Sequence, residues 1–193
     1  MRKLFILLFV TTVFAQNSDF RKVNFGDSYE SVKEKETMKL VLEQENNLMY
    51  EGNVGGIDTY LVYNFHNDSF YLSTYLFKKE HKSNRNGFID DYNNIKKLLT
   101  KKYGKGSFPF GKEYWWKNDL YQDDYEDWGM ALAIGHLQVT TAYSSKANNG
   151  NDMELRHGLT GSNYSISHVV MYYDIKLREI ANNAKEESSL DDF

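Results

Sequence analysis

Apolar residues recur at steps of three and four between Asn86 and Gly104, a spacing that places side chains on one face of a helix. Asp90 lies in the first turn, and Lys101 and Lys102 lie in the last, so these charges complement the helix dipole. Gly104 suits the left-handed conformation that ends many helices. The apolar positions are Phe88, Ile89, Tyr92, Ile95, Leu98, Leu99 and Tyr103. The pattern therefore predicts an amphipathic helix that packs its apolar face against the rest of the chain.

A second, shorter helix is predicted in the segment 26–36. Asp27 is a good N-cap residue, and Glu30 stands where it can complete a capping box. The helix is weakly apolar, with Val32 facing the interior. Contacts with other elements must therefore stabilise it.

Alternation of apolar and polar residues predicts strands. The segments 57–65 and 69–77 alternate most clearly, and the turn composition at 66–68 joins them into a hairpin. The tyrosines predicted to face away from the helices are Tyr60, Tyr71 and Tyr75. The other predicted strands are 38–42, 48–50, 128–134, 137–144, 153–157 and 164–174.

The order of elements is helix, strands, helix, strands and a tail helix. This order predicts an α+β protein with one antiparallel sheet, helices packed on one face and the other face open. Because each helix precedes a meander, we interpret 20–77 and 88–174 as pseudo-repeats, on element order rather than residue identity. The predicted domain spans 23–175. The tail, 176–193, is expected to begin as a helix and to end in disordered polar residues.

The first fifteen residues have the features of a secretory signal peptide. Arg2 and Lys3 precede the apolar run 4–14, and Ala15 provides a cleavage site. A buried N-terminal strand or helix is the alternative interpretation. We therefore expect an exported bacterial protein, periplasmic or extracellular, with a polar leader at 16–22. Because the chain contains no cysteine, we expect neither disulfides nor a lipid anchor.

The charge of the chain argues against nucleic acid as a partner. Without Arg2 and Lys3, 21 basic residues stand against 27 acidic ones, a net charge of −6. Phosphate binding needs a basic surface, and the basic residues here are scattered along the chain.

Patterns that indicate catalysis or metal binding are sparse. No histidine has a second histidine or a cysteine at metal-ligand spacing, and no nucleophile or phosphate-binding motif is present. The acidic segment 119–127 has oxygen ligands for calcium but lacks EF-hand spacing, so a solvated acidic loop is the other interpretation. We therefore expect no catalytic residue, metal or cofactor, and a structural or surface role for each histidine. The histidines are His66, His81, His136, His157 and His168.

Aromatic residues are numerous in this sequence, with 15 Tyr, 12 Phe and 3 Trp. Trp115 and Trp116 are adjacent, so on a strand they would point to opposite sides, and we expect at least one to be partly exposed. Exposed Tyr and Trp are common on protein-binding surfaces and also suit stacking on sugars. Packing in a wide core is the alternative. The candidate binding residues are Trp115, Trp116, Tyr60, Tyr71 and Tyr75.

Two motifs carry a resemblance to known proteins: FGDSYESVKEKE, and YNNIKKLLTKKYGKG followed by a β block that ends in SHVVMYYD. The chain resembles a group of exported, uncharacterised bacterial proteins and is similar to the β-lactamase-inhibitor-like fold, a tandem of helix-plus-sheet units. Envelope lipoproteins of the SmpA type carry a single related unit. The resemblance implies a non-enzymatic role in binding protein partners at the envelope. The chain departs from both comparators, since it lacks the inhibitors' disulfide cysteines and the lipoproteins' lipidated cysteine.

Three hypotheses follow from the sequence. The first is an exported, non-catalytic module of the cell envelope that binds a protein on its open sheet face. The second is a carbohydrate-binding protein or hydrolase of the envelope, which would need an open cleft with Trp115 or Trp116 and two convergent carboxylates. The third is a purely structural role.

Overall fold

The computed structural model describes residues 18–82 and 85–190, so the predicted signal peptide lies outside the described residues. The described residues form an α+β protein with four α-helices and one eight-stranded sheet, which confirms the predicted fold class. The helices are α1 (Tyr29–Lys35), α2 (Gly87–Tyr103), α3 (Trp128–Ala133) and α4 (Ile175–Leu190). The strands are β1 (Lys39–Gln44), β2 (Asn47–Val54), β3 (Ile57–His66), β4 (Ser69–Phe77), β5 (Tyr114–Trp116), β6 (Leu137–Lys146), β7 (Asp152–Ser162) and β8 (Ser165–Asp174).

The sheet consists of two meanders that meet at its centre. Its strand order is β1-β2-β3-β4-β8-β7-β6-β5, and every pairing is antiparallel. The first meander, β1 to β4, follows α1, and the second, β5 to β8, follows α2. This is the element order expected of two helix-plus-meander units. Descent from a duplication stays a prediction.

α2 packs on the sheet through most of the apolar face that its residue spacing predicts. Gly104 ends it with φ +80°, and the Gly104 amide donates to the carbonyl of Thr100 at 2.9 Å. The buried residues of α2 include Ile95 and Leu99. Leu98 is 55% exposed, so the expectation that it is covered together with Leu99 is wrong.

α1 begins at a different cap from the predicted one. Ser28 is the N-cap residue, and its side chain accepts a hydrogen bond from the Ser31 amide. Asp27 instead accepts from the amide of Asn24 and pairs with Lys35. The helix is therefore shorter than the predicted segment, and Val32 is its buried residue.

The segment 128–134, predicted as a strand, forms α3. Met, Ala and Leu are good helix formers, and a distant side chain fixes the first turn: Asn86 Oδ1 accepts the Gly129 amide at 2.5 Å. A Cβ at Gly129 would lie 2.4 Å from the carbonyl carbon of Arg85. Only glycine therefore lets α3 approach the start of α2 so closely.

α1, α2 and α3 pack on the same side of the sheet, which we call the covered face. Its core is rich in aromatic rings, and one of them belongs to the predicted polar leader. Phe20 is 2% exposed, and its ring lies between 4.7 and 6.4 Å from four others. These four rings are Tyr63, Phe70, Tyr75 and Tyr172. The leader from residue 18 onward is thus part of the packed structure.

A β-bulge changes which side chains of β4 face the helices. The pairing of β3 with β4 shifts by one residue at Tyr71, which has no partner on β3. Simple alternation would place Phe70 and Tyr75 on opposite faces. The extra residue brings both to the covered face, where each is buried.

α4 continues from the end of β8 and buries Ala181. It is helical as far as Leu190, and residues 191–193 lie outside the described part of the chain. In the described residues, no helix combines the length and apolar character needed to cross a membrane.

Candidate functional site

The open face is the side of the sheet turned away from α1, α2 and α3. Its centre carries partly exposed, mostly apolar side chains from three neighbouring strands, β3, β4 and β8. They are Tyr60, Val62, Leu72, Leu76, Val169 and Met171, and we call them the apolar patch. Strand pairing sets Tyr60 beside Leu76 and Leu76 beside Val169, so the patch is continuous across the middle of the sheet.

Charged residues at the border of the apolar patch are paired with one another. Lys78 Nζ lies 2.6 Å from Glu51 and 4.3 Å from the centre of the Tyr60 ring. On the other side, Arg156 pairs with Glu154. The patch therefore has a polar rim in which positive and negative groups balance, the usual anatomy of a protein interface.

α4 borders one end of the open face. Arg178 lies over the Tyr173 ring, 4.2 Å from its centre. Tyr71 is half-buried nearby and lines a cavity of about 150 Å³ with Leu177 and Ile180. Tyr71 thus lies beside α4 rather than at the centre of the patch.

The candidate tyrosines do not share one location. Tyr60 lies in the apolar patch and is half-buried. Tyr75 is 7% exposed on the covered face, between Phe20 and Tyr172, so its predicted outward position is wrong. The cause is the bulge at Tyr71, which alternation alone does not reveal.

The two tryptophans point to opposite sides, as expected for neighbours on a strand. Trp116 pairs with Leu137 and packs against Trp128 on the covered face, with ring centres 5.5 Å apart. Trp115 pairs with Gln138 on the other side, and its ring centre lies 5.8 Å from that of Phe110. Both tryptophans are half-buried.

The covered face holds a buried pair of histidines under α2. His157 on β7 and His168 on β8 are 0% and 4% exposed, and their Nε2 atoms are 2.8 Å apart. The Tyr92 ring stacks on His157 at 4.1 Å, and Phe77 lies 4.4 Å from His168. The aromatic walls exclude water from the imidazole–imidazole hydrogen bond.

The unpaired nitrogen of His157 determines which ring donates. Within the described residues, its Nδ1 is buried without a hydrogen-bond partner. An unsatisfied acceptor is less costly than an unsatisfied N–H donor. We therefore assign the proton to Nε2 of His157, which donates to Nε2 of His168.

Burial keeps both imidazoles neutral. Desolvation, with repulsion from His168 and Lys96, holds the pKa of His157 well below its usual range. Burial lowers the pKa of His168 to about 4, despite the opposing effect of Asp91. Neither ring carries a charge at neutral pH.

A polar chain extends from the histidine pair toward the edge strand β5. The Tyr92 hydroxyl is 2.6 Å from Thr141 Oγ1, which donates to Glu113 at 3.3 Å. Because Thr141 has one hydroxyl proton, Tyr92 must be the donor to Thr141. Lys96 Nζ lies 2.5 Å from both oxygens of Glu113. These groups satisfy one another and fasten α2 to β6.

The other candidates for chemistry do not converge. His81 contacts Asp91 at 2.7 Å, and His66 and His136 are half-buried elsewhere. Across residues 18–82 and 85–190, no three His, Cys, Asp or Glu side chains are arranged to hold a metal ion. The acidic segment 119–127 is included in that finding.

No protein-family model, curated protein or solved structure matches this chain. The resemblance to the β-lactamase-inhibitor-like fold accordingly stays a prediction.

Proposed function

We propose that this protein is a non-catalytic, exported binding module that holds a partner protein against its open sheet face. One observation carries the proposal: a continuous apolar patch spans β3, β4 and β8, while α1, α2 and α3 pack on the other side. Single exposed apolar residues are ordinary on protein surfaces, but contiguous ones with a polar rim are typical of interaction sites.

The composition of the apolar patch favours a protein surface as the occupant. Val, Leu and Met side chains provide non-directional contacts, and Met171 can adapt its shape to a partner. The rim charges already have partners, Lys78 with Glu51 and Arg156 with Glu154. The expected partner therefore presents an apolar surface with a nearly neutral border, rather than a strongly charged one.

The test compares two identical substitutions on opposite sides of the molecule. Leu76→Lys places a charge in the centre of the apolar patch, whereas Leu98→Lys places one at an exposed position of α2. The tagged protein is used to capture partners from the native envelope, and the captured protein is purified. We expect Leu76→Lys to raise its Kd by at least about tenfold, because a buried interface charge costs more than about 1.4 kcal/mol.

The control and the contradicting outcome use the same two variants. Leu98→Lys should leave the Kd unchanged, and both variants should keep the wild-type near-UV circular dichroism. Equal loss of binding in both variants, or no loss in either, would contradict the proposal that the partner binds on the open face.

Carbohydrate binding is the second candidate, and the aromatic pair of Trp115 and Phe110 is the observation that favours it. Phe110 is 49% exposed beside the Trp115 ring. The nearby carboxylate of Glu113 is paired with Lys96, which favours stacking of a sugar on the aromatic rings over hydrolysis of it. A panel of oligosaccharides tested with wild type and Trp115→Ala decides this: binding that Trp115→Ala abolishes supports it, and no binding dismisses it.

A further inference from the structure

A cleft of about 390 Å³ opens where the segment after β4 meets the turn between β7 and β8. Its walls combine cationic and aromatic side chains. The aromatic walls are Phe77, Phe88 and Tyr164, and the cations are Lys78, Lys79, Lys82 and Arg85. Glu80 is the acidic residue among the described lining residues. This concentration of positive charge stands out in a chain whose net charge is −4.

Most of these cations are already engaged by carboxylates. Lys78 is bound to Glu51 at 2.6 Å and Lys79 to Asp91 at 2.8 Å. Lys82 lies 3.3 Å from Glu80, which shares the same exposed loop.

Arg85 differs from the lysines. In the described part of the chain, no carboxylate lies within ion-pair distance of it, and its Nη1 faces the sulfur of Met130 at 3.9 Å. A thioether is a weak acceptor. The guanidinium of Arg85 therefore keeps its planar set of donors for another anion.

The backbone that carries Arg85 is held firmly. The next residue, Asn86, is 4% exposed and donates from Nδ2 to the carbonyl of Tyr125 at 2.6 Å, while its Oδ1 accepts the Gly129 amide. The backbone of Arg85 also packs against Gly129 so closely that no Cβ would fit there. A fixed attachment point lowers the entropy lost when the side chain binds a ligand.

Tyr164 independently indicates that the cleft has a functional role. Its φ is +64°, a conformation that glycine or asparagine adopts far more readily than tyrosine. The Tyr164 amide donates to the carbonyl of Ala133 at 3.0 Å, which fixes the turn, yet the residue is 67% exposed. A bulky residue kept in a strained conformation, with its ring in solvent at a cleft, points to a role in contacts beyond the fold.

We propose that this cleft binds a small anion in which a carboxylate or phosphate group is attached to a flat ring. The guanidinium of Arg85 receives the anionic group through paired N–H donors, and the ring stacks on Tyr164. The proposal is independent of the open face and of its protein partner.

The test uses four probes with the full mature chain: phenyl phosphate, benzoate, inorganic phosphate and phenol, each titrated by calorimetry. The two ring-bearing anions should bind more tightly than inorganic phosphate or phenol. The better of the two identifies whether the cleft prefers phosphate or carboxylate. Binding no tighter than that of phenol by both ring-bearing anions would overturn the proposal.

Variants separate the two contacts. Arg85→Ala should weaken the binding of the tighter-binding ring-bearing anion by about tenfold or more, since it removes charge-assisted hydrogen bonds. Tyr164→Asn, which suits the turn, should weaken the ring-bearing anion but leave inorganic phosphate unchanged. Lys112→Ala removes a charge at an exposed position away from the cleft and should change neither. Equal weakening by Lys112→Ala and Arg85→Ala would mean that general charge, not this site, attracts the anion.

A measurement on the wild-type protein guards against a variant that does not fold. In amide NMR spectra recorded during titration with phenyl phosphate, shifts should concentrate at residues 78–82, Arg85 and 164–166. Shifts concentrated elsewhere would contradict the proposal.

Discussion

The two faces of the sheet use similar residues in opposite ways. The covered face buries aromatic rings, a histidine pair whose Nε2 atoms are hydrogen-bonded to each other, and the carboxylate of Glu36, which accepts from the Tyr63 hydroxyl. The open face leaves Val, Leu and Met side chains partly in water, with charges paired at the border. The difference shows that the helices bury the apolar strand residues of one face, whereas the apolar residues at the centre of the other face are only partly buried.

At neutral pH, the largest expected difference between the faces is in core packing. Leu61 is 0% exposed on the covered face, and Leu76 is half-buried on the open one. Leu61→Ala should lower the free energy of unfolding by about 2 to 5 kcal/mol through the cavity it leaves. Leu76→Ala should cost less than about 1.5 kcal/mol, because part of its surface is already in water. Urea unfolding of both variants measures the contrast, and equal losses would show that the open face is packed as tightly as the covered one.

The next largest difference should lie in how much unfolding free energy is lost when an ion pair of each face is broken. Glu36, with its side chain 1% exposed, accepts two hydrogen bonds from Arg21 at 2.8 and 2.9 Å and a third from the Tyr63 hydroxyl. Arg21→Ala should cost about 2 kcal/mol of unfolding free energy, because a buried carboxylate loses charged donors. The matched variant Lys78→Ala breaks the exposed pair with Glu51 and should cost less than about 1 kcal/mol. A larger loss for Lys78→Ala would invert the comparison.

Acid should act on the covered face through the histidine pair. The pKa values of His157 and His168 in the folded protein lie below the unfolded value of about 6.5, so the unfolded chain takes up protons first. The free energy of unfolding should therefore be unaffected by the histidine pair above about pH 6.5. It should fall as the pH drops toward about 4, the pKa of His168 in the folded protein. The slope should be as much as about 1.4 kcal/mol per pH unit for each histidine.

Two variants and the choice of pH window isolate that effect. The double variant His157→Phe, His168→Phe should flatten the free energy of unfolding between pH 6.5 and about 4.5, whereas His66→Gln should not. Carboxylates with lowered pKa values, such as Glu36 and Asp91, lose their contribution only below their unfolded values, near 4. An unchanged slope in the double variant would assign the acid sensitivity to other groups.

The smallest expected effect is at the turn between β7 and β8. Because Tyr164 has φ +64°, Tyr164→Asn should raise the free energy of unfolding by about 0.5 to 1 kcal/mol. Thermal unfolding detects this as a modest increase in Tm. A decrease would mean that the tyrosine ring contributes more to the fold than the strained backbone costs.

Local periodicity was enough to predict α2, the hairpin of β3 with β4, and the α+β class. It failed where one residue or one distant contact decides the outcome. The bulge at Tyr71 moves Tyr75 to the covered face, and no alternation pattern signals an extra residue. The segment 128–133 becomes helical partly because Asn86, more than forty positions earlier, caps Gly129.

The histidine pair was missed although the sequence contains part of the signal. A hairpin that turns at 163–164 sets residue 159 opposite His168 and residue 157 opposite residue 170, so the two histidines are diagonal neighbours on one face. His157 is two residues from Leu155 and Leu159, and His168 is two residues from Val170, so both histidines share the face of the apolar positions in their strands. What the sequence could not supply was the Tyr92 ring above them, since that depends on how α2 crosses the sheet.

The central claim, that the open face holds a partner protein, is tested most directly by site-specific photo-cross-linking in cells that produce the protein. A photoreactive amino acid is placed at Leu76 in one variant and at Leu98 in another. We expect a discrete cross-linked product of protein mass from position 76 and none from position 98. Products of equal yield at both positions, or a product from position 98 alone, would contradict it.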